Sequence, residues 1–269
     1  MTVRSSQKPS REIALLLLSL VLVGGISYPI YRWTQSSAES IDPEGKWTPQ
    51  RLGRLLFGPE QIACYCFFTW ASLILGRRAM EVARQRPAFQ LDLLPTDEGA
   101  RILPEDARPL IRKLELQTAH RGPLILATMV RMALGKYAIS KSAPDVGEVV
   151  RTQAEIEQYR LVSSMYLVQY LMWAIPAIGF IGTVRGLAGA FSMASSTVEE
   201  LTVFMNEASR HLNFAFDCTL VALVLSVVGM YFLHVVQRSE ENLINDCQQY
   251  CQEHLLLRLY DPQPEQAVA

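Results

Sequence analysis

The pattern of hydrophobic and polar positions divides the chain into long apolar segments separated by polar ones. A helix crosses a hydrocarbon layer about 30 Å thick with roughly 17 to 25 residues, and four apolar segments have about this length. The second segment is the weakest, because Pro59 and Glu60 stand at its start and its uncharged part is short. The pattern predicts an all-α, polytopic membrane protein with four transmembrane helices at 13–31, 57–76, 161–191 and 214–237.

The segment between the second and third spans, 77–160, is longer than a connection between two helices needs. Prolines divide it into short predicted helices. The stretch Pro123–Ile139 is apolar, but it is short and is interrupted by Arg131 and Lys136. We therefore predict that 77–160 is a helical cytoplasmic domain in which Pro123–Ile139 is a packed helix rather than a fifth span.

The third and fourth spans are both continued by polar sequence that favours a helix. From Asp145 to Pro176 the only glycine or proline is Gly147, so a polar helix is expected to run unbroken into the third span. The fourth span is expected to continue past Arg238 as a cytoplasmic helix over 238–260. Spans 3 and 4 are thus predicted to extend as cytoplasmic stalks, followed by a disordered tail at 261–269.

The distribution of Lys and Arg predicts the orientation. With the N-terminus inside, 19 of the 25 basic residues fall in inside segments and 5 in outside loops, the last being Arg185 within a span. This favours a multi-pass protein of a bacterial inner membrane with both termini cytoplasmic. The N-terminus 1–12 is then cytoplasmic, and the loops 32–56 and 192–213 are periplasmic.

Composition and motifs narrow the function. The net charge of -1 does not suit a nucleic-acid partner, and 50% hydrophobic residues favour a lipid bilayer as the surroundings. The sequence has no phosphate-binding glycine loop, zinc-type spacing or nucleophile elbow, so we predict no enzyme, no catalytic residue, no cofactor and no metal. Cys247, Cys251 and His254 share one helical face, which we interpret as packing.

The third span contains an unusual run of small and polar residues. Gly182, Gly186 and Gly189 lie three and four residues apart, on one helical face, where they permit close approach of a neighbouring helix. Pro176 and Gly179 precede them and allow a kink and close packing. On the glycine spacing alone, ordinary helix packing is the simpler interpretation.

Two ionisable residues in the last two spans predict a charge pair. Arg185 is two residues beyond Thr183, and Asp217 is two residues before Thr219. In antiparallel spans with the two threonines at one depth, both charges would lie about 3 Å from the threonine layer. Because an unpaired charge in lipid is costly, we predict an Arg185–Asp217 ion pair within or between subunits. The alternative is that both side chains reach the outer interface separately.

These two motifs, residues 176–186 and 216–223, resemble the channel helix and the last membrane helix of the MotA/TolQ/ExbB proton channel family. The likeness extends over about 145–240, and four spans with a cytoplasmic domain resemble the MotA arrangement. Arg185 and Asp217 are not part of the family pattern.

The resemblance implies a homopentamer around a dimer of a single-span subunit similar to ExbD, TolR or MotB. The partner carries the titrating membrane Asp, while Thr183 and Thr219 line the ion pathway. The resemblance further implies that ion flow, of protons in this family, drives rotation and performs work elsewhere. Two alternatives remain open from the residues: a non-conducting membrane scaffold or receptor with a cytoplasmic recruitment domain, and a transporter whose Arg185 binds an anionic substrate.

Overall fold

Six α-helices carry most of the chain that the computed structural model describes, which is residues 9–36, 56, 58–91, 93–94, 101–192 and 198–260. The helices are α1 (Pro9–Ser36), α2 (Pro59–Gln85), α3 (Ala107–Thr118), α4 (Ile125–Ser140), α5 (Ala143–Ser192) and α6 (Val198–His254). Short 3₁₀ helices follow α2 at Arg86–Gln90 and α6 at Leu256–Arg258. Within these ranges extended pairing is limited to an isolated parallel bridge between Ile102 and Leu259. The predicted all-α class is confirmed.

Helix α5 is continuous for 50 residues and α6 for 57, so the polar segments do run unbroken into the apolar ones. Helix α6 begins at Val198, although residues 198–213 were expected to form a loop. The segment contains no glycine or proline, and it includes good helix formers such as leucine, methionine and alanine. These features extend the helix well before its apolar part.

Three of the described helices are long and apolar enough to cross a membrane: α1 over Glu12–Pro29, α5 and α6. Helix α2 does not reach that level of hydropathy, because Glu60, Arg77 and Arg78 bound a short uncharged stretch. The predicted loop 32–56 and tail 261–269 lie mostly or wholly outside the described residues.

The chain forms two compact units. Among the described residues, the span unit comprises those within 9–77 and 166–235, and the stalk unit comprises those within 78–165 and 236–260. Helices α2, α5 and α6 each contribute residues to both units, while α3 and α4 belong to the stalk unit alone.

In the span unit, α2 packs along α5 and α6. The Cys64 thiol donates to the Ile175 carbonyl at 3.7 Å, and the buried residues Cys64, Ala71, Ile74 and Leu75 lie on one face of α2. The Trp70 indole N–H donates to the Glu12 carbonyl of α1 at 3.2 Å. Helix α2 therefore contributes a buried face to the same unit as the three long apolar helices.

In the stalk unit, α4 supplies much of the core. Its inner face is fully buried, including Met129, Val130 and Leu134, and the Gln85 side chain accepts a hydrogen bond from the Ile125 N–H at the start of the helix. The Tyr137 hydroxyl lies 2.9 Å from the Ile102 carbonyl oxygen and 2.7 Å from that of Tyr260. The stretch predicted as a packed helix is thus a core element of this unit.

Candidate functional site

The glycine face of α5 lies directly against α6. A Cβ built on Gly182 would lie 2.5 Å from the Cys218 Sγ, and one built on Gly179 would lie 2.6 Å from the Ala222 Cβ. Such separations are shorter than side-chain carbons tolerate, so the backbones approach this closely only because side chains are absent there.

The same contact continues along the helix pair. A Cβ on Gly186 would lie 2.6 Å from the Ala215 Cβ, and one on Gly189 would lie 2.9 Å from the His211 Nδ1. Residue numbers rise along α5 as they fall along α6, so the two helices are antiparallel. The three glycines singled out by their spacing, Gly182, Gly186 and Gly189, face this interface together with Gly179.

Pro176 lies inside α5, half-buried, and changes the hydrogen bonding of the helix. Proline has no N–H, so the carbonyl of Met172, four residues earlier, loses its usual donor. The Ser226 hydroxyl of α6 lies 3.4 Å from that carbonyl oxygen and donates to it. A side chain of the neighbouring helix therefore partly replaces the missing backbone bond.

Thr219 joins the two helices through its hydroxyl. Its Oγ1 lies 3.2 Å from the Gly179 carbonyl oxygen of α5 and 3.2 Å from the Ala215 carbonyl oxygen of α6. Thr183 donates instead to the Phe180 carbonyl of its own helix at 2.7 Å. Both side chains are half-buried.

The register of the helices sets the relative heights of the two threonines. Gly182 lies opposite Cys218. Thr183 and Thr219 are each one residue further along antiparallel helices, so they differ by two residues, or about 3 Å, along the helix axes. Their heights therefore differ by less than one helical turn, whereas the sequence analysis placed them at one depth. That they line an ion pathway stays a prediction.

Arg185 binds a carboxylate that the sequence analysis did not assign to it. Its Nη1 lies 2.7 Å from Glu60 Oε1 and its Nη2 lies 3.0 Å from Glu60 Oε2, a two-pronged ion pair between α5 and the first turn of α2. The guanidinium carbon also lies 5.5 Å from the centre of the Phe214 ring. The Glu60 side chain is 9% exposed and that of Arg185 is 56% exposed.

Asp217 is half-buried on α6, and its pairing with Arg185, within or between subunits, stays a prediction. Arg185 forms its ion pair with Glu60, which is 125 residues away in sequence. A carboxylate at the edge of an apolar segment was the available signal for Glu60, since such a group needs a partner. Sequence reasoning used it only as a mark against the second span.

Comparison with known proteins identifies part of the chain. Residues 122–249, which include α4, α5 and most of α6, match the model of the MotA/TolQ/ExbB proton channel family. No curated protein and no solved structure matches the chain. The match and the apolar helices indicate a membrane protein, and the family is one of proton channels rather than of catalytic enzymes.

Proposed function

We propose that the chain is a subunit of an ion-driven membrane motor, because residues 122–249 match the model of the MotA/TolQ/ExbB proton channel family. In this proposal the subunit converts an ion-motive force, most simply that of protons, into rotation together with a single-span partner. The observation that carries it is the placement of Thr183 and Thr219, which differ in height by about 3 Å on two packed helices that the family match includes.

The ion pathway is proposed to follow the wall formed by Thr183 and Thr219. Hydroxyls offer hydrogen-bonding oxygen without a fixed charge, so they can face a carboxylate of the partner without forming a permanent ion pair with it. Helix packing through Gly179 and Gly182 brings the two hydroxyl-bearing helices together. The partner's Asp would bind and release the ion, and this chain would supply the polar wall.

The assembly is proposed to be a homopentamer around a dimer of the single-span partner. Proteins of this family work with single-span partners in membrane complexes. Both α5 and α6 carry large apolar side chains that are exposed in the single chain, including Trp173, Phe180, Phe216 and Val227. Subunit, partner and lipid contacts would cover these side chains in the membrane.

The topology is proposed to have four spans, with α2 as the second and both termini cytoplasmic. Helix α2 contacts α5 through Glu60 in its first turn and α1 through Trp70 near its middle, so this part of α2 lies against the apolar helices. The cationic cluster after Gly76 then stays on the cytoplasmic side. The stalk unit would be cytoplasmic.

The ion pair between Arg185 and Glu60 disfavours the alternative in which the chain is a transporter that binds an anionic substrate through Arg185. Its guanidinium fork is engaged by both oxygens of Glu60, so an anionic substrate would have to displace an ion pair held by the protein. The motor proposal needs no such displacement.

An ion-flux assay tests the proposed function. The chain is co-expressed with its partner in vesicles, and proton uptake is compared between the intact chain and the variants Thr183→Val and Thr219→Val. Removing a wall hydroxyl should lower the flux by about tenfold or more, the effect of losing one hydrogen bond of roughly 1.4 kcal/mol at the barrier.

The matched control is Thr128→Val, because the Thr128 hydroxyl also bonds within its own helix, to the Leu124 carbonyl of α4. Its flux should equal that of the intact chain. Absence of flux in the intact complex, or unchanged flux in both wall variants, would refute the proposed function. A native mass of the complex reports the ratio of subunits, and a strictly monomeric particle would refute the assembly.

A further inference from the structure

Arg78 is a buried cation that belongs to the stalk unit, outside the site just described. Its side chain is 8% exposed. Nη1 lies 3.3 Å from Glu240 Oε1 and 3.4 Å from Glu240 Oε2, and Nη2 donates to the Ser164 carbonyl at 2.8 Å. One guanidinium on α2 thus contacts both α5 and α6.

The three contacting residues occupy equivalent places on their helices. Helices α2, α5 and α6 pass from the span unit into the stalk unit at residues 77/78, 165/166 and 235/236. Arg78, Ser164 and Glu240 all lie within five residues of these positions on the stalk side. The contact therefore joins the three helices at the point where each enters the stalk unit.

The surroundings of the contact are apolar. Leu161 and Met165 on α5, Val82 on α2, and Val236 and Leu243 on α6 are buried within about one turn of the contacting residues. Burial raises the pKa of Glu240, while Arg78 acts in the opposite direction and Glu241 adds a smaller upward effect. An ionised Glu240 therefore depends on Arg78, and Arg78 would be costly to bury without Glu240.

The chemistry of arginine suits this position. Its planar fork presents several N–H groups in fixed directions, so it can donate to a carboxylate and to a carbonyl at once. The compact ammonium of lysine is a single point of contact on a flexible stem. A lysine at this position could retain one contact more readily than both.

We propose that Arg78 is a positioning residue that ties α2 to α5 and α6, so that the three helices keep a common register where they enter the stalk unit. The evidence for this tie, meaning the link that Arg78 makes between the helices, is its contacts with Ser164 and Glu240. Its consequence rests on the proposed function: a displacement of α5 or α6 caused by ion flow would be accompanied by α2, and the helices would enter the stalk unit as one element.

Hydrogen exchange of the full chain in lipid nanodiscs, read by mass spectrometry, tests the tie. In Arg78→Met, exchange should accelerate by about tenfold or more in both partner segments, 160–168 and 236–244, since bonds to a charged group are lost. In Arg78→Lys, one of the two segments should keep its protection while the other loses it. Glu240→Gln should accelerate 236–244 and leave 160–168 closer to the intact chain.

The matched control is Arg84→Met, because Arg84 is an exposed cation of the same helix that bonds Glu81 of its own helix. It should leave 160–168 and 236–244 unchanged. Acceleration confined to α2 in Arg78→Met, equal effects of Arg84→Met, or full protection in Arg78→Lys would overturn the proposal. Arg78→Lys and Glu240→Gln preserve side-chain size, so they keep the test decisive if Arg78→Met fails to fold.

The exchange results decide the role of Arg78 whether or not the chain conducts ions. A chain without flux but with the predicted pattern of exchange would refute the proposed function and support the tie. If the chain conducts ions but Arg78→Met accelerates exchange in α2 alone, the proposed function would be supported and the tie refuted.

Discussion

Arg185 and Glu60 form an ion pair whose two members differ in their access to solvent. The Glu60 side chain is 9% exposed, so its charge is largely desolvated, whereas the 56% exposure of Arg185 weakens the attraction through screening. Losing the arginine would leave a buried carboxylate alone, and losing the carboxylate would leave a more exposed cation alone. The contribution of the pair should lie between those of surface and buried ion pairs.

Glu60→Gln should therefore lower the free energy of unfolding by about 1–3 kcal/mol, between the surface and buried limits. Denaturant unfolding of the full chain in detergent measures it. The control is Glu155→Gln, which breaks the exposed pair of Arg151 and Glu155 on one helix and should cost about 0.5 kcal/mol or less. Equal losses in the two variants would show that the Glu60 contact contributes no more than a surface pair.

At the level of whole helices, α5 and α6 are held together by backbone approach rather than by large side chains. The glycines of α5 leave no room for a methyl group, and Thr219 adds a hydroxyl contact across the interface. Shape therefore sets the register of the pair, and small changes in side-chain volume should affect it.

Gly182→Ala should separate α5 from α6 and destabilise the chain, because the new Cβ would lie 2.5 Å from the Cys218 Sγ. Overpacking of this kind costs about 1–3 kcal/mol. Gly76→Ala is the control, since no atom lies within 4 Å of its added Cβ and alanine favours a helix by about 0.5–1 kcal/mol. Thermal unfolding of both variants measures the difference, and a Gly182→Ala protein as stable as Gly76→Ala would contradict the close packing.

Local features of the sequence predicted where the helices lie, but they did not predict which side chains of different helices contact each other. The glycine spacing, the length of α5 and the packed helix α4 follow from residues close together in the chain, where helical periodicity determines neighbours. The Arg185–Glu60 and Arg78–Glu240 contacts join residues 125 and 162 positions apart. Their partners depend on how α2 packs, which no local pattern specifies. The early start of α6 was missed because residues 198–213 mix apolar and polar side chains before the apolar segment at 214–237.

At the scale of the whole molecule, the number of spans depends on α2. If α2 crosses the membrane, residues 77–160 are cytoplasmic, and if it does not, they are periplasmic when the N-terminus is inside. The contacts of Trp70 and Glu60 favour the first arrangement.

Alkaline phosphatase, which is active only outside the cytoplasm, reports this directly when fused after a chosen residue. A fusion after Gly45 should be active and one after Ala119 inactive, because the basic residues following Gly76 stay inside. Activity after Ala119 would exclude α2 as a span. The Gly45 fusion serves as the positive control for export.

The global stability should decline at alkaline pH because of two thiols of the stalk unit. Burial raises the pKa of Cys247 and of Cys251 to about 12, from an ordinary value of 9.0. Above pH 9 the unfolded chain loses these protons while the folded chain keeps them, so stability falls with rising pH until about 12. The slope approaches about 1.4 kcal/mol per pH unit for each thiol.

Unfolding measured from pH 8 to 10.5 tests this slope against Cys247→Ala/Cys251→Ala, in which it should be smaller. The comparison of slopes is unaffected by any constant loss of packing in the variant. Identical slopes would show that burial does not keep the two thiols protonated in the folded chain. At pH 8 both thiols should also resist alkylation in the folded chain and react after denaturation.

Helix α5 can bend at Pro176 at a lower free-energy cost than elsewhere along its length. The Met172 carbonyl has already lost its backbone donor and is served by a hydroxyl of the adjacent helix at 3.4 Å, a long and replaceable bond. Elsewhere in α5 a bend must break a backbone bond, but here it need only exchange Ser226 for water or another donor. Helix α5 therefore bends most easily at Pro176, and the Ser226 hydroxyl of α6 influences the free energy that this bend requires.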